Sequence, residues 1–229
     1  MVLLAIDTCL SSASVAIASE EKLFGLYYID NKLTHSTKLI PMIENVLSEL
    51  DLSVKDIDAI ACTNGPGSFT GIRIGMATTK GLSFPDSKPI MPVSSLEAAA
   101  YNFLCQPLPV CAMTDARNSQ VFYGKYKFSE KVFEIISPPT VAEISEVSDS
   151  ISTPTIVLGD GCVKYKEVLK QNPNIIFAPP HLNMPTAASL AAAAFNKINL
   201  EGFPPVETID ALYIRKSSAE QEKERKNNK

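Results

Sequence analysis

Two aspartates stand at points of the sequence where a strand-like run ends. Asp7 follows the apolar run that opens the chain, and Asp115 follows a similar run in the second half. Two such carboxylates could flank a metal-bound nucleotide, which is the chemistry of an ATP-dependent phosphotransferase or ATPase. Aspartate is also common in the turn after a strand, so residue type alone does not choose between these interpretations.

The stretch TNGPGSFTGIRIGMATTKGL, residues 63–82, is a second candidate because glycine-rich loops can hold phosphate. It is not a P-loop, because Gly71 is not followed by the required lysine. It is not a dinucleotide fingerprint either, because Gly65 and Gly67 fit but Thr70 occupies the place of the third glycine. The start of the following helix could still bind an anion through its backbone N–H groups. The residues that could lie near a phosphate are Asp7, Thr8, Ser68 and Thr70.

A cysteine nucleophile needs a positioned base, and the sequence offers Cys9 with His35 as the one imaginable peptidase pair. The other histidine, His181, lies in the second half of the chain. The five cysteines include no C-x-x-C pair, which argues against a disulfide framework or zinc site and indicates reduced thiols. Buried, unreactive cysteines are therefore the favoured interpretation.

The run after the glycine loop has helical character and little side-chain bulk. Glycine inside a helix costs roughly 0.5–1 kcal/mol relative to alanine, so several glycines in one helix need a compensating reason. Either a second protein approaches this surface closely, or the helix sits tightly on its own sheet, and both can hold on different faces. The small residues are Gly71, Gly75, Thr78, Thr79 and Gly81.

The preceding segment, residues 36–50, also predicts a helix, with apolar residues recurring at helical spacing. Pro41 is tolerated only near a helix start, so we expect a late start or a kink there. Leu39, Met42 and Ile43 exceed what one sheet-facing stripe needs. They could form a contact patch for a second protein, although an internal two-layer core explains them equally well.

The secondary-structure pattern runs β-β-β-α-β-α-β-α and then repeats in the same order. The second copy includes a helix predicted over residues 141–151. We expect two related α/β domains, each a mixed sheet flanked by helices, over residues 1–105 and 106–215. The last helix of the second domain could pack back on the first. Residues 216–229 are mixed-charge and nearly free of apolar side chains, which predicts a flexible tail.

Composition limits the classes of function. A net charge of −4 argues against binding of nucleic acid by this chain alone. Arg73, Arg215 and the tail could still contact RNA. The N-terminus lacks the basic flank of a secretory signal. The longest apolar run near the end, residues 187–195, is too short to span a bilayer. We therefore expect a cytoplasmic protein without a membrane partner.

Several segments together resemble the bacterial TsaB (YeaZ) family. They are IDT, HSTKLIPMIENVL, TNGPGSFTGIRIGMATTKGL, PVSSLEAAA, TDARNSQVFYGKY and YIRK, spread over residues 3–216. The resemblance implies an actin/Hsp70-like (ASKHA) fold of two ribonuclease-H-like domains. It also implies a noncatalytic scaffold for TsaD, the subunit that transfers threonylcarbamoyl to adenosine in tRNA. Nucleotide-binding members carry glycines after the first strand, whereas this chain reads DTCLSSA and later TDARNSQ, which weakens the case for an autonomous ATP site.

The resemblance also implies how partners are bound. TsaD should bind through the first two helices, the small ATPase TsaE should join the assembly, and a homodimer could form through the same surface. ATP or ADP should enter only with the assembled complex, and contact with tRNA should be indirect. The catalytic relative has an H-x-x-x-H metal pair, but here Leu39 stands where the second histidine would be, so we expect no metal. The expected interface residues are His35, Leu39, Met42, Ile43, Val46, Ile72, Arg73, Gly75, Met76 and Thr79. Arginine at Ile43 or Gly75 should then abolish TsaD binding and leave the fold intact.

Overall fold

The computed structural model describes residues 1–31, 35–129 and 132–215, and for His35 the backbone alone. The N-terminal half has the predicted order of elements. They are β1 (Leu3–Asp7), β2 (Ala13–Ala18), β3 (Leu23–Ile29), α1 (His35–Ser48), β4 (Ala59–Thr63), α2 (Phe69–Ser83), β5 (Ile90–Val93) and α3 (Ser95–Ala100). The strands form one sheet in the order β3-β2-β1-β4-β5. The first three strands are antiparallel, and β4 and β5 run parallel to β1.

The C-terminal half repeats this arrangement. Its elements are β6 (Val110–Arg117), β7 (Gln120–Ser129), β8 (Val132–Glu143), α4 (Ile144–Asp149), β9 (Thr155–Leu158), α5 (Asp160–Lys164), α6 (Lys166–Leu169), β10 (Ile175–Phe177) and α7 (Ala187–Glu201). The sheet order is β10-β9-β6-β7-β8, which is the order of the first sheet with each strand replaced by its counterpart. The prediction of a doubled α/β fold with two mixed sheets is confirmed.

Helix α1 begins at His35, so Pro41 lies at its seventh position and the expected late start is wrong. Proline removes the hydrogen bond that its own amide would donate to the preceding turn. Pro41 lies on the exposed side of the helix. The buried side faces the sheet and is filled by apolar residues from Leu39 to Leu47, which pack with β1, β2 and β4.

A second difference concerns the helix expected over residues 141–151. Strand β8 continues through Glu143, which is paired with Gln120 of β7, and α4 begins only at Ile144. The ladder with β7 therefore overrides the helical pattern of the first residues of that segment.

The two halves share one core because each supplies a helix to the other. Helix α7, which follows the second sheet in sequence, packs chiefly on β1, β2 and β5 of the first sheet. Its alanines meet alanines of those strands, which permits a close approach, and the amide of Ala187 donates to Ser14 Oγ at 2.9 Å. Helix α3 in turn packs on β6 and β7 and on α7. Residues 216–229, expected to be flexible, lie outside the described residues.

Candidate functional site

The turn between β1 and β2 is closed by the chain itself. The Asp7 side chain is fully buried. Its Oδ1 accepts a hydrogen bond of 2.6 Å from Thr63 Oγ1 and one of 3.1 Å from the amide of Cys9. A phosphate would need that amide, so the turn is organised around its own carboxylate.

The start of helix α2 packs directly against this turn and is hydrogen-bonded to it. The amide of Ser68 donates to the carbonyl of Cys9 at 2.7 Å, and Thr8 Oγ1 donates to the carbonyl of Gly71 at 2.8 Å. A Cβ at Gly71 would lie on the carbonyl oxygen of Thr8, and one at Gly75 would lie on the Thr8 hydroxyl, closer than real Cβ atoms come. These glycines therefore allow α2 to rest on its own sheet, which is one of the two readings that the sequence left open.

The four residues expected near a phosphate are not gathered around an open cavity. Asp7 and Thr8 are buried beneath α2, whereas Ser68 and Thr70 are exposed. The hydroxyl of Ser68 accepts from the amide of Gly71 at 3.3 Å and so caps the helix. A role for these residues at a nucleotide stays a prediction, and their geometry does not favour it.

Asp115 occupies the equivalent position in the second half and is held by neighbouring donors. Lys164 Nζ lies 2.6 Å from one carboxylate oxygen, and the Tyr165 hydroxyl donates to the other at 3.0 Å. Burial alone would raise the pKa of Asp115, but the hydrogen bonds from Lys164, the Arg117 amide and Tyr165 outweigh it and lower the pKa. The carboxylate is thus engaged within its own half of the molecule.

The imagined peptidase pair lacks a usable nucleophile. Cys9 is fully buried, and this burial, together with the charge of Asp7, raises its pKa well above the usual thiol value. Cysteine attacks as the thiolate, so the environment of Cys9 opposes that chemistry. Burial likewise raises the pKa of Cys62 to about 12 and that of Cys111 to about 12. The side chain of His35 lies outside the described residues.

Most of the residues expected at a partner interface are buried in the chain's own core, which favours the internal two-layer core that the sequence left open. Those buried on α1 are Leu39, Met42, Ile43 and Val46, and those buried on α2 are Ile72, Gly75, Met76 and Thr79. They are buried because α1 packs on the sheet and also contacts α2, so a wide apolar stripe is covered. Arginine at Ile43 or Gly75 would enter this core rather than test a surface. Arg73 is exposed.

The solvent-facing side of the same two helices carries a different set of residues, which we call the outer helix face. It includes Ile40, Arg73, Ala77, Gly81 and, just beyond the end of α2, Phe84, next to the exposed charged residues Lys38, Glu44 and Lys80. Ile40 is 43 % exposed and Phe84 is 84 % exposed. Among the described residues, no heavy atom lies within 4 Å of a Cβ placed on Gly81. The helical phase of the buried residues would have located this face from the sequence, because it lies opposite to them.

A C-terminal segment, residues 206–215, also reaches this region. Ile209 is buried with Cys9, Cys62 and Ile72, and the amide of Leu212 donates to the carbonyl of Asn64 at 2.7 Å. The ring of Tyr213 stacks on Phe69 of α2 with centroids 4.5 Å apart and planes at 8°. Arg73 Nε donates to the Tyr213 hydroxyl at 3.2 Å. No short-range pattern in the sequence indicates this contact.

Among residues 1–31, 35–129 and 132–215, no three histidine, cysteine, aspartate or glutamate side chains converge as metal ligands would. Over the same described ranges, no helix combines the length and apolar character needed to cross a bilayer.

Comparisons with known proteins agree with the doubled fold. Residues 30–222 match the family model described as TsaD, tRNA N6-adenosine threonylcarbamoyltransferase. The tRNA threonylcarbamoyladenosine biosynthesis protein TsaB of Bacillus subtilis is 30 % identical over 173 residues, which is 74 % of this chain and 76 % of that protein. The protein of the same name from Escherichia coli is 26 % identical over 227 residues and 96 % of each chain. The structure of YeaZ from Pseudomonas aeruginosa aligns with a TM-score of 0.79 at 26 % identity, covering 93 % of this chain and 99 % of that one.

Proposed function

The chain belongs to the TsaB (YeaZ) family, and we propose that it works in threonylcarbamoyladenosine (t6A) formation on tRNA as a noncatalytic subunit that binds TsaD. Its relatives are named for t6A biosynthesis, and its family model is named for the transferase. The specific role of scaffold rests on the surfaces of this chain, described above.

The observation that carries the proposal is the contrast between the two sides of the α1–α2 pair. The inner side is filled by the chain's own core, so nothing is left for a partner to fill there. The outer helix face combines small residues, Ala77 and Gly81, with the exposed apolar side chains of Ile40 and Phe84. Small residues let a second helix approach closely, and the apolar ones supply burial energy on association. Such a face suits a helical partner, and TsaD is the partner that family membership suggests.

The absence of catalysis by this chain is supported by the state of its candidate groups. The amide and carbonyl of Cys9 are used by Asp7 and Ser68, so the β1–β2 turn is not free to bind phosphate. Asp115 is ion-paired with Lys164. The Cys9 thiol is buried with a raised pKa. Each group that could begin a reaction is engaged by its own neighbours.

These features do not fit a nucleotide held by the isolated chain, and we propose that ATP or ADP enters only with the assembled complex. In that complex the small ATPase TsaE would join the TsaD-bound subunit, and tRNA would be contacted mainly by the partner. The net charge of −4 supports this division, because binding to a phosphate backbone depends on clustered basic residues.

Size-exclusion chromatography of this chain with and without TsaD tests the proposal. Ala77→Arg places a long charged side chain on the outer helix face and should weaken TsaD binding by about 30-fold or more. Val163→Arg is the matched control, because Val163 is 65 % exposed and lies on α5 in the other half. It should leave binding unchanged.

Two results would contradict the proposal. Co-elution of Ala77→Arg with TsaD at wild-type strength would remove the outer helix face as the interface. Micromolar binding of ATP and Mg²⁺ by the isolated chain, measured by calorimetry, would instead favour an ATP-binding phosphotransferase or ATPase. Circular dichroism of both arginine variants establishes that they are folded.

A further inference from the structure

The chain beyond α7 crosses from one half of the molecule to the other. We call residues 209–215 the C-terminal strap. At its start, Ile209 is 1 % exposed and lies in an apolar cluster of the first half. At its end, Arg215 Nη1 donates to Gln120 Oε1 at 3.1 Å and to the carbonyl of Ala116 at 3.4 Å, both in the second half. The strap therefore has an anchor in each half.

The glycine-rich loop before α2, residues 64–68, is shaped to receive the strap. The carbonyl of Asn64 accepts from the amide of Leu212 at 2.7 Å, and Asn64 Nδ2 donates to the carbonyl of Asp210 at 3.2 Å. Gly65 has a φ of 112°, a region that favours glycine, and a Cβ there would lie 2.9 Å from the carbonyl oxygen of Leu212. The Asn-Gly pair of the loop thus has a structural role in holding the strap, which is distinct from phosphate binding.

The strap is held mostly by contacts that lie at the surface. Tyr213, whose ring stacks on Phe69, is 43 % exposed, and Asp210 is exposed. Within residues 206–215, Ile209 is the one buried side chain. Segments with few buried apolar contacts and with hydrogen bonds near solvent are those that open locally at a low cost in free energy. The strap can therefore detach while both sheets keep their hydrogen bonds.

We propose that the C-terminal strap opens and closes as a single unit in the folded protein, and that its opening uncovers the β1–β2 turn and the thiols beneath Ile209. Ile209 shares its apolar cluster with Cys9, Cys62 and Ile72, so its release removes their cover on that side. The contacts of the strap follow one another along a short stretch of chain, and contiguous contacts of this kind open together. A closed strap ties the second half to the start of α2, whereas an open strap leaves the halves joined through α3 and α7. Every contact of this device lies within the chain, so it is tested on the isolated protein.

Thiol labelling of the full, folded chain with N-ethylmaleimide, resolved by peptide mass spectrometry, measures the opening. Exposed Cys105 gives the rate of an unprotected thiol. Cys9 and Cys62 should react through opening of the strap, at a rate that hardly changes at low urea concentrations because little surface is exposed. Cys111 and Cys162 lie in the core of the second half and should react only on unfolding, at a rate that rises steeply with urea.

Variants at the two anchors test whether the strap is one unit. Arg215→Ala removes the bonds to the second half, and Tyr213→Ala removes the stacked ring in the first half. Each should speed the labelling of Cys9 and Cys62 about fivefold. The Leu212 amide, which is bonded to the glycine-rich loop, should show the same gain in hydrogen exchange. Tyr213→Phe keeps the stacked ring and should label like the wild type.

Asn172→Ala is the control for general destabilisation. Asn172 Nδ2 donates to the carbonyls of Ser148 and Ile151 at 2.7 and 2.9 Å, within the second half. Loss of these bonds should speed the labelling of the second-half thiols and leave that of the thiols beneath Ile209 unchanged.

Three results would overturn the proposal. The first is labelling of Cys9 and Cys62 that rises with urea as steeply as that of the second-half thiols, which would mean that all of them react only on unfolding. The second is an effect of Tyr213→Ala without one of Arg215→Ala, which would mean that the two anchors open separately. The third is an acceleration of Cys9 by Asn172→Ala equal to that caused by the strap variants. Far-UV circular dichroism checks that each variant is folded.

Discussion

Helix α2 carries glycine on two faces, and the two faces have different surroundings. On the inner face, Gly71 and Gly75 touch Thr8 so closely that no side chain fits between the helix and the β1–β2 turn. On the outer face, Gly81 has open space around the position of a Cβ. The inner glycines are required by the chain's own fold, whereas the outer glycine meets no close neighbour among the described residues. A run of small residues in a sequence therefore includes glycines that the fold requires and glycines that leave the surface open to a partner.

The largest expected effect separates the inner and outer sides of α1. Ile43→Arg buries a charge at a site that is 2 % exposed and should cost about 4 kcal/mol or more of the free energy of unfolding. Ile40→Arg changes an exposed residue of the same type and should alter it by less than about 0.5 kcal/mol. Urea denaturation followed by circular dichroism measures both. Equal losses would mean that the inner and outer sides of α1 are not distinct.

The next effect concerns the inner glycines of α2. Gly71→Ala forces the new methyl group against the backbone carbonyl of Thr8, which cannot rotate away. We expect a loss of about 2 kcal/mol or more, even after the gain from a better helix former. Thermal unfolding gives the value. A Gly71→Ala protein as stable as the wild type would show that the close contact with the β1–β2 turn is not required.

A smaller effect is expected where the C-terminal segment meets α2. Tyr213→Ala removes the ring stacked on Phe69 and should cost about 1 kcal/mol. Tyr213→Phe keeps the stacked ring, loses only the bond from Arg73, and should be close to neutral because that bond is exposed. Both variants are compared by urea denaturation. If the phenylalanine variant were as unstable as the alanine variant, the stacking would not be the source of the stability.

The smallest effect has the opposite sign. Gly81→Ala adds a methyl group into open space inside a helix and should stabilise the protein by about 0.5–1 kcal/mol. Together with Gly71→Ala, it forms a matched pair in one helix with opposite outcomes. A loss of stability at Gly81 would indicate an intramolecular contact on the outer helix face. The melting temperature of each variant is sufficient to decide.

Local periodicity was a good guide to the fold. The repeated order of strands and helices and the apolar stripe of α1 are both short-range features of the sequence. They succeed because hydrophobic spacing acts within a few residues. The doubled sheet order follows from the same patterns, since consecutive elements usually lie next to one another.

The candidate site was harder to predict because its state depends on distant contacts. The spacing on α1 left open whether Met42 meets a partner or an internal core, and α1 buries it because this helix packs on both the sheet and α2. The bond from Thr8 to Gly71 joins residues 63 positions apart. The stacking of Tyr213 on Phe69 likewise has no local signal. Such long-range contacts determine whether the glycine-rich loop is accessible to a ligand or packed against the β1–β2 turn.

The helix exchanged between the two halves has a consequence for synthesis on the ribosome. Strand β5 completes the first sheet at Val93, but α7, which covers one face of that sheet, begins only at Ala187. At about 5–20 residues per second, translation leaves that face without its cover for roughly 5–20 s. During this interval the nascent chain presents an uncovered alanine-rich sheet surface.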